Sequence, residues 1–172
     1  MAITHPTEQL PDVEKLVAEL VAQMRSQVTP QSCFIGIHTG GVWLAERLHA
    51  ELGIEASLGT IDVSFYRDDF GSRGLHKDLH RSNLPFEVEG RNIVVVDDVL
   101  YTGRTIRAAL NELFDYGRPA RVDLAVLVDR GGRELPITAN FVATKLSLAP
   151  AQNLQLERAD DGKLSLRLAE AK

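Results

Sequence analysis

Two adjacent carboxylates and a turn rich in hydroxyls mark one stretch of this chain as a candidate ligand site. Asp97 and Asp98 directly follow the apolar run 93–96, and residues 102–105 (threonine, glycine, arginine, threonine) lead into a helical pattern. The amino end of a helix presents unpaired N–H groups and a partial positive charge, and both favour phosphate. Carboxylates accept hydrogen bonds from sugar hydroxyls. This order therefore suits a ligand with a phosphate at one end and a sugar diol in the middle.

A second glycine-rich turn follows another apolar stretch and also precedes a helical pattern. It consists of Thr39, Gly40 and Gly41. Two successive glycines can expose successive N–H groups to an anion. A tight turn is the simpler interpretation when these residues are considered alone.

Charged side chains accumulate in residues 67–90, which also contain Gly71, Gly74, Pro85 and Gly90. Loops of this length in a compact domain are often lids or binding segments. Cations on such a lid could close over a polyphosphate, and a solvated charged loop is an equally good interpretation. Further along, Arg130 follows a buried strand and is well placed for ligand contact, whereas Arg133 is predicted at the surface.

Apolar periodicity predicts the elements that position these residues, and together they form an α/β layered sheet. We expect a helix over 10–28 with Pro11 in its first turn, and a half-exposed strand over 60–66. Continuous apolar runs predict buried strands of a parallel sheet. The predicted buried strands are 34–38, 93–96 and 122–128, the two further helices lie near 43–52 and 106–114, and residues 136–172 form an appendage with strands near 152–157 and 163–168.

Composition narrows the class of protein. The chain has 172 residues, enough for one domain, with 44% hydrophobic and 25% charged residues and a net charge of −5. The charge gives no general support to nucleic-acid binding, and no apolar run approaches the roughly 20 residues of a membrane span. The single cysteine, Cys33, begins an apolar stretch and is expected to be a buried, unreactive thiol. We expect a cytoplasmic protein with no membrane partner.

Three motifs, occurring in order, resemble the PyrR family of type I phosphoribosyltransferases, which are pyrimidine-operon regulators with uracil phosphoribosyltransferase activity. They are residues 62–69 (DVSFYRDD), 97–105 (DDVLYTGRT) and 127–137 (LVDRGGRELPI). The resemblance implies an α/β type I phosphoribosyltransferase fold in one domain, residues 1–172. Its central, mainly parallel sheet is flanked by helices, with a flexible lid loop at about 67–90 and a small hood at about 136–172.

The resemblance also implies a reaction, in which uracil and phosphoribosyl pyrophosphate (PRPP) give UMP and pyrophosphate with Mg²⁺. Asp97 and Asp98 would be catalytic, accepting from the ribose hydroxyls near a Mg²⁺ carried by PRPP rather than ligated by the protein. PRPP would be bound by Asp97, Asp98, Val99, Leu100, Tyr101, Thr102, Gly103, Arg104 and Thr105. Thr39, Gly40 and Gly41 would form the pyrophosphate loop, Arg67, Asp68 and Asp69 would belong to the lid, and Arg130 would border the uracil pocket.

This chain departs from the family pattern in two places. The pyrophosphate loop of the family reads Thr-Arg-Gly, whereas Gly40 stands here in place of the arginine. The first predicted helix carries Lys15 and Arg25 as its only cations, and fewer cations weaken RNA binding. Two functions follow: an active uracil phosphoribosyltransferase, or a regulator that senses UMP or PRPP and acts through RNA or a protein partner. The family also implies a homodimer or a larger homo-oligomer.

Overall fold

The computed structural model describes residues 9–64 and 82–170, which form a central parallel sheet, three helices and a separate strand pair. The helices are α1 (Val13–Met24), α2 (Gly40–Glu51) and α3 (Arg104–Asp115). The strands are β1 (Cys33–Ile37), β2 (Gly59–Ile61), β3 (Asn92–Leu100), β4 (Arg121–Asp129), β5 (Phe141–Lys145), β6 (Gln152–Arg158) and β7 (Leu164–Glu170). None of the helices in these two ranges has the length and apolar character needed to cross a membrane.

Helix α1 begins directly after a residue whose side chain caps its amino end. Asp12 is the N-cap and its carboxylate accepts a hydrogen bond from the Glu14 N–H at 2.9 Å. Pro11 therefore precedes the cap, and its predicted position in the first turn is wrong. The buried face of α1 consists of Val13, Leu16, Val17, Leu20, Val21 and Met24, which recur with helical spacing.

The sheet has a buried core on each face, as the continuous apolar strands predict. On one face α1, α2 and the β6–β7 pair cover residues such as Phe34, Val94 and Leu127. On the other face α3 covers residues that include Ile35 and Val95. Cys33 is fully buried on this second face, as expected from its apolar surroundings. The α/β prediction is thus confirmed.

Two predicted strands have different limits in the structure. Strand β3 extends beyond residues 93–96 and includes Asp97 and Asp98, because its pairing with β4 continues to the register of Leu100 with Asp129. Strand β2 ends at Ile61, so the predicted half-exposed strand over 60–66 is too long. Asp62 is buried rather than exposed, and its carboxylate accepts hydrogen bonds from the N–H and hydroxyl of Ser64.

The predicted appendage and lid also need correction. Residues 141–145 form β5, which pairs with β4 as part of the central sheet, so the separate hood elements begin only with β6. Part of the predicted lid loop packs on the core, because Leu84, Phe86 and Val88 belong to the second apolar cluster. The rest of that loop, residues 67–81, lies outside the described residues, as do residues 65 and 66 of the predicted strand.

The strand order fixes where a ligand can bind. The central sheet runs β2-β1-β3-β4-β5 with every pair parallel. The chain moves outward from β1 to β2 on one side and from β3 to β5 on the other. In such sheets the connections leave in opposite directions at this switch point, and a crevice opens at the carboxyl ends of the two strands. Here the switch point lies between β1 and β3.

Candidate active site

Two helices begin at the switch point, α2 after β1 and α3 after β3. A Cβ atom built on Gly41 would lie 2.5 Å from the carbonyl oxygen of Val96 and 3.1 Å from the Asp97 Cα. A Cβ atom on Gly40 would overlap the carboxylate of Asp98. The two glycines therefore allow the amino end of α2 to lie directly against the end of β3.

The two predicted carboxylates lie at this junction. Asp97 is only 3% exposed, and its Oδ1 accepts a hydrogen bond from the Asp98 N–H at 3.0 Å. Asp98 is half-buried, and its Oδ1 accepts from the Val99 N–H at 2.9 Å. Each carboxylate thus has one oxygen held by the backbone of its neighbour, which limits its rotation. A carboxylate has lone pairs for further donors, such as sugar hydroxyls.

Residues 101–105, called the phosphate loop below after their predicted role, comprise the three-residue connection from β3 and the first two residues of α3. Gly103 is the N-cap of α3 with φ of +91°, a left-handed conformation that favours glycine. No side chain caps α3 from that position, and the Thr102 hydroxyl accepts from the Arg104 N–H at 3.2 Å. The amino end of α3 has the backbone character that suits phosphate.

Arg104, which was predicted to contact a phosphate, forms an ion pair with Glu134 in the structure. The Arg104 Nε atom lies 2.7 Å from a carboxylate oxygen of Glu134, and both side chains are about half exposed. An exposed ion pair of this kind is weak, so a phosphate could compete with Glu134 for the guanidinium. The sequence pattern contained no indication of this partner.

Arg130 is buried at the carboxyl end of β4, where its guanidinium contacts the hood. Its Nη1 donates to the Gln152 carbonyl at 2.9 Å and its Nη2 to the Ala149 carbonyl at 3.3 Å. The guanidinium also stacks on the ring of Tyr101, 3.9 Å from the ring centroid. Arg130 therefore joins the hood to the phosphate loop, and its predicted contact with a base stays a prediction.

Arg133 was expected at the surface, but its side chain is only 24% exposed and has three hydrogen-bond partners. It contacts the carbonyls of Tyr101 and Ile137 and the carboxylate of Asp129. Burial raises the pKa of Asp129, but hydrogen bonds from Arg133 and the Gly131 N–H outweigh it, so the pKa is lowered from 3.8. The partners lie up to 32 residues away in sequence, so no local pattern could identify them.

Arg67, Asp68 and Asp69 lie outside the described residues. Within the described ranges no group of three or more histidine, cysteine or acidic side chains is arranged to hold a metal ion. An open groove of about 470 Å³ runs along α3 beside Arg104, Arg107 and Asp115. Its charges have mixed sign, and the switch point, with its two helix N-termini and paired carboxylates, is the better candidate for a ligand.

Comparison with known proteins agrees with this geometry. The family model described as "Phosphoribosyl transferase domain" matches residues 6–155. A relative named "Bifunctional protein PyrR" from Pseudomonas entomophila is 53% identical over 151 residues, covering 86% of this chain and 88% of the relative. One of the same name from Pseudomonas aeruginosa is 51% identical over 156 residues, covering 91% and 90%.

Solved structures show the same fold at low sequence identity. A hypoxanthine-guanine phosphoribosyltransferase from Bacillus anthracis superposes with a TM-score of 0.65 at 20% identity, covering 83% of this chain and 85% of that one. One from Leishmania tarentolae in complex with GMP has a TM-score of 0.64 at 16% identity and covers 83% of each chain. At these identities the likeness shows the fold alone.

Proposed function

The chain belongs to the phosphoribosyl transferase family and, at about 50% identity over most of its length, to the PyrR group, and we propose from that premise that it makes UMP. The proposed substrates are uracil and PRPP, and the second product is pyrophosphate. One observation carries the proposal: two helix N-termini meet at the switch point with Asp97 and Asp98 between them. PRPP has a phosphate at one end, a pyrophosphate at the other and a ribose diol between them. The two helix N-termini suit the phosphate groups, and the two carboxylates suit the diol.

Each element of the site has a role in the proposed reaction. The phosphate loop, with Thr102 to Thr105, binds the 5′-phosphate, and Thr39, Gly40 and Gly41 bind the pyrophosphate. Asp97 and Asp98 accept hydrogen bonds from the ribose hydroxyls. Arg130 and the hood border the uracil pocket, and Arg67, Asp68 and Asp69 belong to the lid that closes over the substrate.

The proposed chemical step is a substitution at C1′ of the ribose. The bond from C1′ to the pyrophosphate oxygen breaks, the bond from C1′ to N1 of uracil forms, and the N1 proton leaves to solvent. Positive charge develops on the ribose ring in the transition state, and the carboxylates of Asp97 and Asp98 stabilise that charge. No covalent nucleophile is needed, because holding both substrates in line supplies much of the rate increase.

The donor set also fits a Mg²⁺ ion that arrives with PRPP. Two adjacent carboxylates are too few for a protein-only metal cage, and Mg²⁺ characteristically takes one or two carboxylates together with substrate phosphates and water. When bound, the ion neutralises charge on the pyrophosphate. The ion would be bound by oxygens of PRPP and by water, and the negative charge of Asp97 and Asp98 would favour its position near the ribose. The cytoplasm is the proposed compartment, since the chain has one buried cysteine and no disulfide.

The test is UMP formation by the purified chain from uracil, PRPP and Mg²⁺, followed chromatographically. We expect UMP from uracil, and we expect no IMP when hypoxanthine replaces uracil. Asp97→Asn combined with Asp98→Asn should reduce PRPP binding below detection in calorimetry. The fold should be kept, because each asparagine retains an oxygen that can accept the backbone N–H now bonded to it.

A matched control is available in the β6–β7 turn, where Asp160 and Asp161 form another adjacent acidic pair. Both are exposed, so the double asparagine variant at these positions removes the same charge far from the switch point. We expect that variant to bind PRPP as the unmodified chain does. Equal loss of affinity in both double variants would mean that net charge, rather than contact with the ribose, is responsible.

We propose regulation of pyrimidine genes as the second function, because the relatives carry the name "Bifunctional protein PyrR". The exposed surface of α1 has few cations, and Glu14 on it pairs with Arg47 at 2.7 Å. Phosphate contacts dominate RNA affinity, so we expect weak, salt-sensitive binding. A gel-shift against a pyrimidine-operon leader RNA over a salt series tests this, and a homo-oligomer is expected in the same samples. Absence of a shift at low salt would leave a protein partner as the route of regulation.

A further inference from the structure

Residues 130–137, called the outer segment below, hold three consecutive carbonyl groups at the end of β3 and in the phosphate loop. The Leu100 carbonyl accepts from the Arg130 N–H at 3.0 Å. The Tyr101 carbonyl accepts from the Arg133 side chain at 2.6 Å. The Thr102 carbonyl accepts from the N–H groups of Glu134 and Leu135 at 2.9 and 3.1 Å. All three carbonyls therefore face the outer segment.

This arrangement fixes the direction of the N–H groups in the phosphate loop. In a trans peptide the C=O and the following N–H point in opposite directions, and these three peptides are trans. The N–H groups of Tyr101, Thr102 and Gly103 consequently point away from the outer segment. Among the described residues, none accepts a hydrogen bond from the N–H of Thr102 or Gly103. Successive N–H groups directed to one side form an anion-binding concavity.

Arg133 is the one side chain among these donors, and its three nitrogen atoms join three parts of the molecule. Nη1 contacts the Tyr101 carbonyl, Nη2 lies 2.7 Å from an Asp129 carboxylate oxygen, and Nε donates to the Ile137 carbonyl at 2.8 Å. Asp129 is anchored in β4, so the guanidinium is held on a rigid strand. A planar guanidinium can bond all three partners at once, which the single ammonium of lysine cannot reproduce.

Packing around Tyr101 strengthens the same attachment. Its ring stacks on the guanidinium of Arg130, and on another side a Cβ atom built on Gly132 would overlap it. Gly132 has φ of +72°, so a larger residue is disfavoured there by backbone conformation as well as by the ring. Tyr101 is thus attached to the outer segment through both its ring and its carbonyl.

We propose that Arg133 is a positioning residue for PRPP, acting through the Tyr101 carbonyl to keep the N–H groups of the phosphate loop directed at the 5′-phosphate. The inference rests on the proposed function, since it assigns the 5′-phosphate to this loop. Arg133 itself contacts no substrate in this proposal. Its loss should weaken binding of PRPP without changing contacts to uracil.

The experiment compares Arg133→Met, Arg133→Lys and a control, Arg121→Met. Arg121 pairs with Asp123 at the opposite end of β4, so the control removes another arginine–aspartate pair from the same strand. We expect Arg133→Met to raise the KM for PRPP about tenfold, as when one charge-assisted hydrogen bond is lost. The KM for uracil should change less than about twofold, and Arg133→Lys should restore only part of the PRPP affinity.

Two readouts separate positioning from a general loss of structure. A partly unfolded sample lowers the apparent kcat but leaves both KM values unchanged, so a selective rise in the KM for PRPP indicates positioning. In the free protein, amide hydrogen exchange at Glu134 and Leu135, whose N–H groups donate to the Thr102 carbonyl, should be faster in Arg133→Met than in Arg121→Met. Equal KM values for PRPP in Arg133→Met and Arg121→Met would overturn the proposal.

Calorimetry with PRPP alone keeps this outcome distinct from failure of the proposed function. If the unmodified chain binds PRPP but forms no UMP, the proposed reaction is wrong, and the PRPP affinities of the variants still decide the role of Arg133. If the unmodified chain does not bind PRPP, the proposed function fails and the role of Arg133 fails with it. Normal PRPP binding with unchanged affinity in Arg133→Met would reject the role of Arg133 alone.

Discussion

The two helix N-termini at the switch point are held in place in different ways. The phosphate loop is attached from outside by hydrogen bonds from the outer segment to three carbonyls. The turn at Thr39, Gly40 and Gly41 lies directly on β3, and Thr39 makes no side-chain cap to α2. The first turn is held by hydrogen bonds, one of which comes from the Arg133 side chain and can be removed by a substitution. The second depends on close packing that an added atom disturbs. The two should therefore fail under opposite kinds of change.

The largest effect is expected from adding one methyl group to the packed turn. In Gly41→Ala the new Cβ would lie 2.5 Å from the Val96 carbonyl oxygen, which belongs to the backbone and cannot rotate aside. We expect a loss of about 1–3 kcal/mol in the free energy of unfolding, the usual range for overpacking. PRPP binding should be lost as well, because α2 must move away from β3. Denaturant unfolding and calorimetry measure the two quantities.

Gly40→Ala tests the same packed turn with a milder clash, because the new Cβ meets a side chain rather than the backbone. Its Cβ would overlap the Asp98 carboxylate, which can change its χ1 rotamer, so stability should change by less than about 1 kcal/mol. PRPP affinity should still fall, since Asp98 then leaves the position from which we propose that it contacts the ribose. Gly40→Arg should bind more tightly than Gly40→Ala, because its guanidinium can contact pyrophosphate.

Trp43 provides the measurement for these variants. It is the single tryptophan of the chain and lies in the first turn of α2 with its ring beside Arg158, so we expect its fluorescence to change when an anion binds at that end of the helix. Titration with pyrophosphate should give the order of affinity Gly40→Arg above Gly40→Ala. If Gly40→Ala unfolds as easily as Gly41→Ala, the Asp98 side chain is not free to move and the two glycines act as one packed unit.

The sequence could predict the part of the candidate site whose residues are neighbours along the chain, but not the contacts between residues that are distant in sequence. The run from residue 93 to 105 places strand, carboxylates and helix start in direct succession, so the site could be predicted from local pattern. Arg133 could not be recognised, because Tyr101 lies 32 residues before it and only tertiary structure brings them together. Arg130 was predicted at the edge of the base pocket, which stays a prediction, and its bonds to the Gln152 and Ala149 carbonyls could not be foreseen because they depend on how the hood folds back.

The fold was predictable to a similar degree. Strands β3 and β4 are buried on both faces and appear as continuous apolar runs, which is typical of a parallel sheet. Strand β5 was missed because only Phe141 in it is buried, so its sequence has neither an apolar run nor a clear alternation. Its place beside β4 comes from backbone pairing, with Ala125 opposite Phe141, and backbone pairing has no sequence signature.

The smallest expected effect is a change of thermal stability at low pH, which tests whether the attachment of the phosphate loop depends on a titrating group. The pKa of Asp129 is raised by burial and lowered more strongly by Arg133 and the Gly131 N–H, so it lies below its ordinary value of 3.8 in the folded chain. A lowered pKa stabilises the fold above the ordinary value, and the contribution is lost as the pH falls through the lowered value. Thermal unfolding should show a difference between the unmodified chain and Arg133→Met that is full at pH 5 and shrinks below pH 3.8.

The Glu14–Arg47 pair supplies the control, because it joins α1 to α2 away from the phosphate loop. The hydrogen bond from Arg47 lowers the pKa of Glu14 by more than burial raises it, so this pKa is also below its ordinary value. Arg47→Met should therefore show an acid dependence of the same sign while PRPP affinity stays unchanged. A difference for Arg133→Met that remains constant from pH 6 to pH 3 would show that the Asp129 carboxylate is not what holds Arg133. Arg133 would then be held by its bonds to the Tyr101 and Ile137 carbonyls, and the attachment of the phosphate loop would involve no titrating group, in keeping with the packed turn.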